Sequence, residues 1–283
     1  MATKRTFEEN LVLAKARTGT AKTEKIKALA AKQLMLPFWP DSVRRVPNLV
    51  LRNALFAATK NREFYGKELR VLASLEGHTV KATERMNQHD LDNLEMLLHL
   101  QREQPLGSRV SFTAHSFLKE MGRPTGGSSH LKLHEDLFRL TRATVEIRWE
   151  KERKSYIGSL LAGFFRDDET GLYMVTFNED MMKLYNSGST EIDFEQRKRL
   201  GKANVAKWLQ VFYASHDTPH PMKVTTLHSL CGSETKAIRE FRRLLRASLE
   251  MLVEVGLLTT WSIEGDLVKV VKARNLTQAK ARH

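Results

Sequence analysis

The sequence predicts an α+β chain of two tandem winged-helix domains, joined by a short linker and preceded by a loosely ordered basic arm. Three observations lead there. A helix, a short helix, a turn, a longer helix and alternating strands occur in the same order twice. Basic residues gather at the two ends of the chain. A content of 41% hydrophobic and 28% charged residues suits globular cores and not overall disorder. At 283 residues there is room for two domains of roughly 100–150 residues each.

Residues 1–35 read as the arm, rich in Lys, Ala and Thr. The aromatic, proline-bounded stretch Leu36-Pro-Phe-Trp-Pro-Asp41 marks the entrance to the first domain, 36–188. There, Met86 to Gln101 has helical periodicity, ended by Pro105 and Gly107. Phe112 to Met121 follows as a short helix, and Ser128 or Ser129 can cap a longer one carrying Leu133, Leu137 and Leu140. Val145, Ile147 and Trp149 alternate with charged residues, as a half-buried strand requires. A charged tip over 151–154 leads into an apolar strand from Tyr156 to Phe165, then a turn at 167–171 and a third strand, Leu172 to Phe177.

The linker is expected at Asn186-Ser-Gly-Ser-Thr190, and 189–283 repeat the plan. Arg197 to Ala214 forms one helix. A short helix ends at Cys231-Gly232. Ser233 caps a long helix to about Val255, with Gly256 closing it. Leu257–Ile263 and Leu267–Val271 flank a hairpin turn.

Net charge is +13, and its distribution says more than its total. Residues 1–46 hold 10 Lys/Arg against 4 Asp/Glu, 47–192 hold 20 of each, and 193–283 hold 16 against 9. Such an excess points to a polyanion, because protein cations displace counterions condensed on phosphates. On the helix from Ser233, Lys236, Arg239, Arg242, Arg243 and Arg246 cluster roughly 130° from the apolar set Ile238, Phe241, Leu244, Leu245, Leu249 and Leu252. One face can dock while the other meets DNA. Ser233, Thr235, Lys236 and Arg239 are candidates for base edges, since the N-terminal half of a recognition helix enters the major groove. Arg242, Arg243 and Arg246 suit phosphate. In the first domain, Ser128, Ser129, Lys132 and Arg139 on the second helix and Arg153 and Lys154 at the wing tip are the DNA candidates. A dimerising role for that neutral domain competes with direct base reading.

Leu36-Pro-Phe-Trp-Pro-Asp-Ser-Val-Arg-Arg-Val-Pro-Asn-Leu-Val-Leu-Arg-Asn-Ala-Leu-Phe56 resembles a segment of the TrfA plasmid replication initiators. Asn204-Val-Ala-Lys-Trp-Leu-Gln-Val-Phe-Tyr-Ala-Ser-His216 is similar to another. The resemblance implies binding to repeated origin sites (iterons) in double-stranded DNA, opening of an adjacent A·T-rich region with contact to its single strand, and recruitment of the host helicase. It also implies a homodimer in equilibrium with monomers. Gln33-Leu34-Met35-Leu36-Pro37-Phe38 resembles the short peptide by which bacterial proteins bind the sliding clamp. Gln33 would bond the pocket rim while Leu34, Leu36 and Phe38 fill it. Pro37 departs from that pattern, and packing of the three apolar residues on the first domain is the competing reading.

Enzymatic classes lack their signatures. Neither Gly66-Lys67 nor Gly201-Lys202 belongs to a phosphate-binding loop of the common ATPase kind. No His-hydrophobic-His triplet marks a metal-dependent nickase. His228 and Cys231 have no second ligand pair for zinc, so neither cofactor nor metal is expected. Ser155 to Phe165, the longest uncharged apolar-rich run, falls short of the ~20 residues that span a bilayer. A single cysteine and the absence of a secretory signal suit the cytoplasm. A plasmid repressor of similar architecture is the nearest alternative, followed by an origin-nicking enzyme and a protein-interaction scaffold.

Overall fold

A computed structural model describes Leu36 and residues 39–75, 77–104, 109–150 and 153–273. The expected basic arm and most of the clamp-like peptide lie outside the described residues. Strand β1 (Val43–Pro47) and helix α1 (Asn48–Leu51) open the fold. Five short strands follow: β2 (Phe56–Ala57), β3 (Glu63–Phe64), β4 (Arg70–Leu72), β5 (His78–Ala82) and β6 (Glu84–Asn87). They were not foreseen, because most are too short to show a period-2 pattern.

Helix α2 (Gln88–Gln101) starts on Asn87, whose side chain accepts from the Asp90 backbone N–H while the Asp90 carboxylate accepts from that of Asn87. It is followed by β7 (Val110–Thr113), α3 (Ala114–Glu120) and α4 (Gly127–Arg142). Gly126, not Ser128 or Ser129, occupies the cap position of α4. Then come β8 (Thr144–Trp149), β9 (Lys154–Ser159), β10 (Leu161–Arg166) and β11 (Leu172–Phe177). The single strand expected from Tyr156 to Phe165 is therefore two, broken at Leu160. Its halves join different sheets: β9 extends the order β4-β5-β8-β9, while β10 joins β10-β11-β7.

A 3-10 helix (Glu179–Ser187) leads to β12 (Ser189–Asp193), which pairs antiparallel with β1 from Val43↔Asp193 to Pro47↔Ser189. The segment expected as a linker is thus built into this helix and a two-stranded ribbon. Helices α5 (Phe194–Arg199) and α6 (Asn204–Ala214) replace the one helix expected over Arg197–Ala214. Gly201, at φ 55°, turns the chain between them. Strand β13 (Met222–Lys223), α7 (Val224–Leu230), α8 (Ile238–Glu254), β14 (Leu258–Glu264) and β15 (Leu267–Lys272) complete the fold.

The repeated plan is visible in the strand order. In the first half a short strand precedes two helices and then pairs with the second strand of the hairpin, giving β10-β11-β7. In the second half β13, α7, α8 and the β14–β15 hairpin give β13-β15-β14, the same arrangement. The hairpin equivalent to β14–β15 is consequently β10–β11, not β8–β9. Two apolar cores result. The larger gathers Trp39, Phe56, Leu97, Leu137 and Phe177, and the smaller gathers Trp208, Phe212, Phe241, Leu245 and Leu249. At roughly 25 cal/mol per Å² of apolar surface buried, each such aromatic or Leu side chain contributes about 2–3 kcal/mol.

Candidate nucleic-acid interface

Helix α8 buries Phe241, Leu245, Leu249 and Leu252 in the smaller core, with Leu244 half-buried. Ile238, expected in that apolar set, is exposed instead at 40%. Arg239, Arg243 and Arg246 are exposed on the helix, and Lys236 is exposed just before it. Arg242 is committed elsewhere: it donates to the Gly265 carbonyl at 2.5 Å and to Asp266 Oδ1 at 3.0 Å, clamping the β14–β15 turn against α8. Arg243 pairs with Glu240 at 3.2 Å on the surface, an exchange worth only about 0.3–0.5 kcal/mol.

The expectation that Ser233 caps this helix is corrected. The helix begins four residues later than expected, at Ile238, with Ala237 at the cap and no side-chain cap bond. The Ser233 hydroxyl instead donates to Thr235 Oγ1, and the Thr235 backbone carbonyl takes a bond from His228 Nε2 at 2.8 Å. The intervening Glu234 carboxylate accepts from Thr59 Oγ1 at 2.8 Å and Asn61 Nδ2 at 2.6 Å, and pairs with Arg85. A helix starting at Ser233 would pull Glu234 off these partners, which belong to the other half of the molecule. Ser233, Thr235 and Lys236 therefore sit on an extended lead, not on the helix.

On α4, Ser128 and Lys132 are exposed and Ser129 is half-buried. Arg139 lies on the same helix but points inward. It donates to Asp90 Oδ1 and Asp136 Oδ1, each at 2.9 Å, and its Nε sits 3.2 Å from Glu84. Burial opposes its charge, and Asp90 and Asp136 more than offset that, raising its pKa. Its Nε and Nη1 are held by protein acids and its side chain is turned inward, a structural role in place of the exposed phosphate contact expected. Arg142 stacks on Phe64 at 4.4 Å and pairs with Glu84. Arg153 and Lys154 are exposed, but on the β8–β9 hairpin of the four-stranded sheet, away from the repeated plan. Arg153 takes φ 51°, a left-handed conformation that costs an L residue about 1 kcal/mol.

The half of α2 that periodicity left to solvent is also buried. Asp92 receives Arg197 Nε at 2.7 Å, Lys207 Nζ at 2.7 Å and Arg123 Nη2 at 2.9 Å. Burial works against its ionisation, yet these three cations hold its carboxyl far below the usual range. Arg197 also lies 3.0 Å from Glu95, whose pKa burial pushes up to about 7. Asp136 bonds Asn93, His89, Arg62 and Arg139. Helical periodicity marks apolar faces; it carries no sign that an acidic face will be covered by arginines from distant segments.

Of the clamp-like residues, Gln33, Leu34 and Phe38 lie outside the described residues. Leu36 is buried at 5% in the larger core, which matches the competing packing reading. Cys231 is buried too, its thiol pushed up to about 12 by burial. Among the described residues no helix is long and apolar enough to cross a membrane. The cations that sequence reasoning passed over are Lys60, Lys198, Arg199 and Lys202. The run Arg197-Lys-Arg-Leu-Gly-Lys202, interrupted by a turn glycine, was the available signal for three of them.

Comparison with known proteins adds a family and a fold. The pattern of the TrfA protein family matches residues 6–272. The plasmid replication initiator protein TrfA of Escherichia coli is 24% identical over 260 residues, covering 87% of this chain and 66% of that protein. The chain thus spans a little under two thirds of that relative's length. A crystal structure of domains 2 and 3 of RctB superposes with a TM-score of 0.53 at 14% identity, covering 81% of this chain and 99% of that one. A second structure of the same RctB domains gives 0.50 at 15% identity, with coverages of 81% and 98%. At such identity the likeness is one of fold.

Proposed function

Since the chain belongs to the TrfA family, which it matches over residues 6–272, we propose that it is a plasmid replication initiator that binds iteron repeats at its origin as duplex DNA. In this reading 36–188 and 189–283 are winged-helix domains, and α8 is the recognition helix of the second. The observation that carries it is the division of α8 into a face sunk in the smaller core and a face presenting Arg239, Arg243 and Arg246 to solvent. Arg239, in the first turn, suits a guanine edge; Lys236, Arg243 and Arg246 suit phosphates. Ser233 and Thr235 are near enough to that turn to reach phosphate from the lead segment. Ser128, Ser129 and Lys132 make the corresponding contact from α4. Arg242 acts indirectly, by holding the hairpin turn.

The initiator works in the cytoplasm without catalytic centre, cofactor or metal, opening A·T-rich DNA and gripping its single strand. It recruits the host helicase and the sliding clamp, and it passes between homodimer and monomer. Its test is binding to its own plasmid's repeats and to random duplex across a salt series, with wild type and Arg239→Ala. Repeats should bind at least ~10³-fold more tightly than random duplex, and the variant should lose mainly that preference. Weak, uniform binding indifferent to Arg239 would sink the reading.

A further inference from the structure

A cleft of about 960 Å³ opens between α4 and the α5–α6 turn, with His89 and Asp92 of α2 and Leu118 of α3 among its lining residues. Lysine and arginine outnumber aspartate and glutamate nine to three along its walls. The acids are already answered. Asp92 and Asp136 on the floor hold Arg62, Arg123, Arg197 and Lys207, and Glu195 at the rim holds Lys198. Lys60, Lys132 and Lys202 remain, each exposed and with no carboxylate partner among the described residues. Arg199 adds a fourth exposed cation, one nitrogen of which donates to the Val255 carbonyl at 3.0 Å. The free positive charge comes from three separate stretches of chain that folding brings to one rim.

We propose that this cleft is a phosphate-backbone groove, in which the sugar–phosphate chain of duplex DNA is gripped by Lys60, Lys132 and Lys202. The inference rests on the DNA-binding reading above and extends it from Lys132 on α4 to Lys60 and Lys202, outside both helical faces. Continuity argues for DNA as the occupant. Exposed Lys132 and half-buried Ser129 belong both to α4 and to the wall of the cleft, so a strand lying on α4 runs past its mouth. Long, strongly hydrated ammonium groups suit phosphates as point charges and carry no base preference. The cleft therefore contributes affinity and register while α8 contributes sequence. It also joins the two halves electrostatically, because Lys60 and Lys132 lie in the first half and Lys202 in the second.

The test uses the full chain and the triple variant Lys60→Ser/Lys132→Ser/Lys202→Ser, compared in salt titrations against origin repeats and random duplex. Three lost phosphate contacts should lower the slope of log affinity against log salt by about 3. Affinity for both DNAs should fall on the order of 10- to 100-fold at physiological salt, with the preference for repeats retained. An unchanged thermal midpoint shows that the variant is folded. Unchanged slope and affinity overturn the proposal while leaving α8 as the reader. Saturable binding of inorganic triphosphate to wild type, lost in the variant while DNA binding is kept, overturns it in favour of a small anion. If wild type has no preference for repeats, the initiator reading itself fails, whatever the cleft does.

Discussion

Arg197 Nε lies 2.7 Å from Asp92 Oδ1, and both side chains are shut away from solvent at 1% and 7% exposure. The two residues come from α5 and α2, 105 positions apart in the chain. Removing one partner of a buried pair strands the other, at a cost of about 3–5 kcal/mol. Arg197→Met should lower the urea midpoint accordingly. Lys207 and Arg123 still serve Asp92 in that variant, but its bond to Arg197 is already gone, so adding Asp92→Asn should cost less than it does alone. The coupling in that double-mutant cycle should be roughly 1–3 kcal/mol. Additive losses would mean that the pair is incidental.

Glu95 and Asp136 set opposite pH limits. Burial raises the Glu95 pKa to about 7, with Asp92 adding to the effect and Arg197 only partly offsetting it. A carboxyl raised on folding is most stabilising while protonated, so that contribution is present below its unfolded value and is lost as pH climbs through about 7. Asp136 behaves in reverse. Burial opposes its ionisation, but the His89 hydrogen bond and the charges of His89 and Arg62 bring it down to about 2. Its contribution, roughly 2 kcal/mol, is present above the ordinary aspartate range and disappears as pH falls toward 2. Urea midpoints measured from pH 3 to 9, values spanning roughly both windows, should therefore peak between them. Glu95→Gln should flatten the alkaline side alone.

Arg239 and Arg242, three residues apart on α8, should respond differently to alanine. Arg239→Ala should reduce affinity for the repeats by about 1–3 kcal/mol with little change in melting temperature. Arg242→Ala should speed amide exchange in the β14–β15 turn, since Gly265 and Asp266 lose their anchor. Its direct cost in stability should stay below about 1 kcal/mol, because the pair is partly exposed. Equal behaviour of the two variants would refute the division of labour.

Gly232→Ala should be far worse than Gly256→Ala. Both glycines have positive φ, at 60° and 83°, so each substitution meets the backbone penalty of about 1 kcal/mol. Only at Gly232 would the new methyl group come within 2.9 Å of Ala57 Cβ and 3.3 Å of Ala54 Cβ. Those alanines belong to the first half, and the adjacent Ala58 N–H donates to the Cys231 carbonyl at 2.6 Å. Thermal melts should separate the two variants by several degrees, and equal midpoints would show that the contact yields freely.

Sequence and structure agree where local rules govern. The hairpin turn at Gly265-Asp266, the closing Gly256 and the docked face of α8 were legible because turn chemistry and a 3.6-residue period act within one segment. Arg139 and Ser233 were misread because long-range partners decide them. Arg139 shares its helix face with solvent-facing residues in sequence, yet three acids from β6, α2 and its own helix draw it inward. Ser233 resembles a cap, yet Glu234 beside it is held by Thr59, Asn61 and Arg85. The break at Leu160 was hidden because an unbroken apolar run looks the same whether it feeds one sheet or two.

The β1–β12 ribbon makes everything from Asn48 to Gly188 an excursion that leaves and returns through neighbouring strands, about 5 Å apart. Val43 pairs with Asp193 at the end of the ribbon where the rest of the chain departs in both directions. Tension applied across the molecule would consequently peel the ribbon open one residue pair at a time from that end, as a zipper and not as a sheared joint. The same adjacency makes the excursion a natural unit for circular permutation or for exchange with a relative's counterpart.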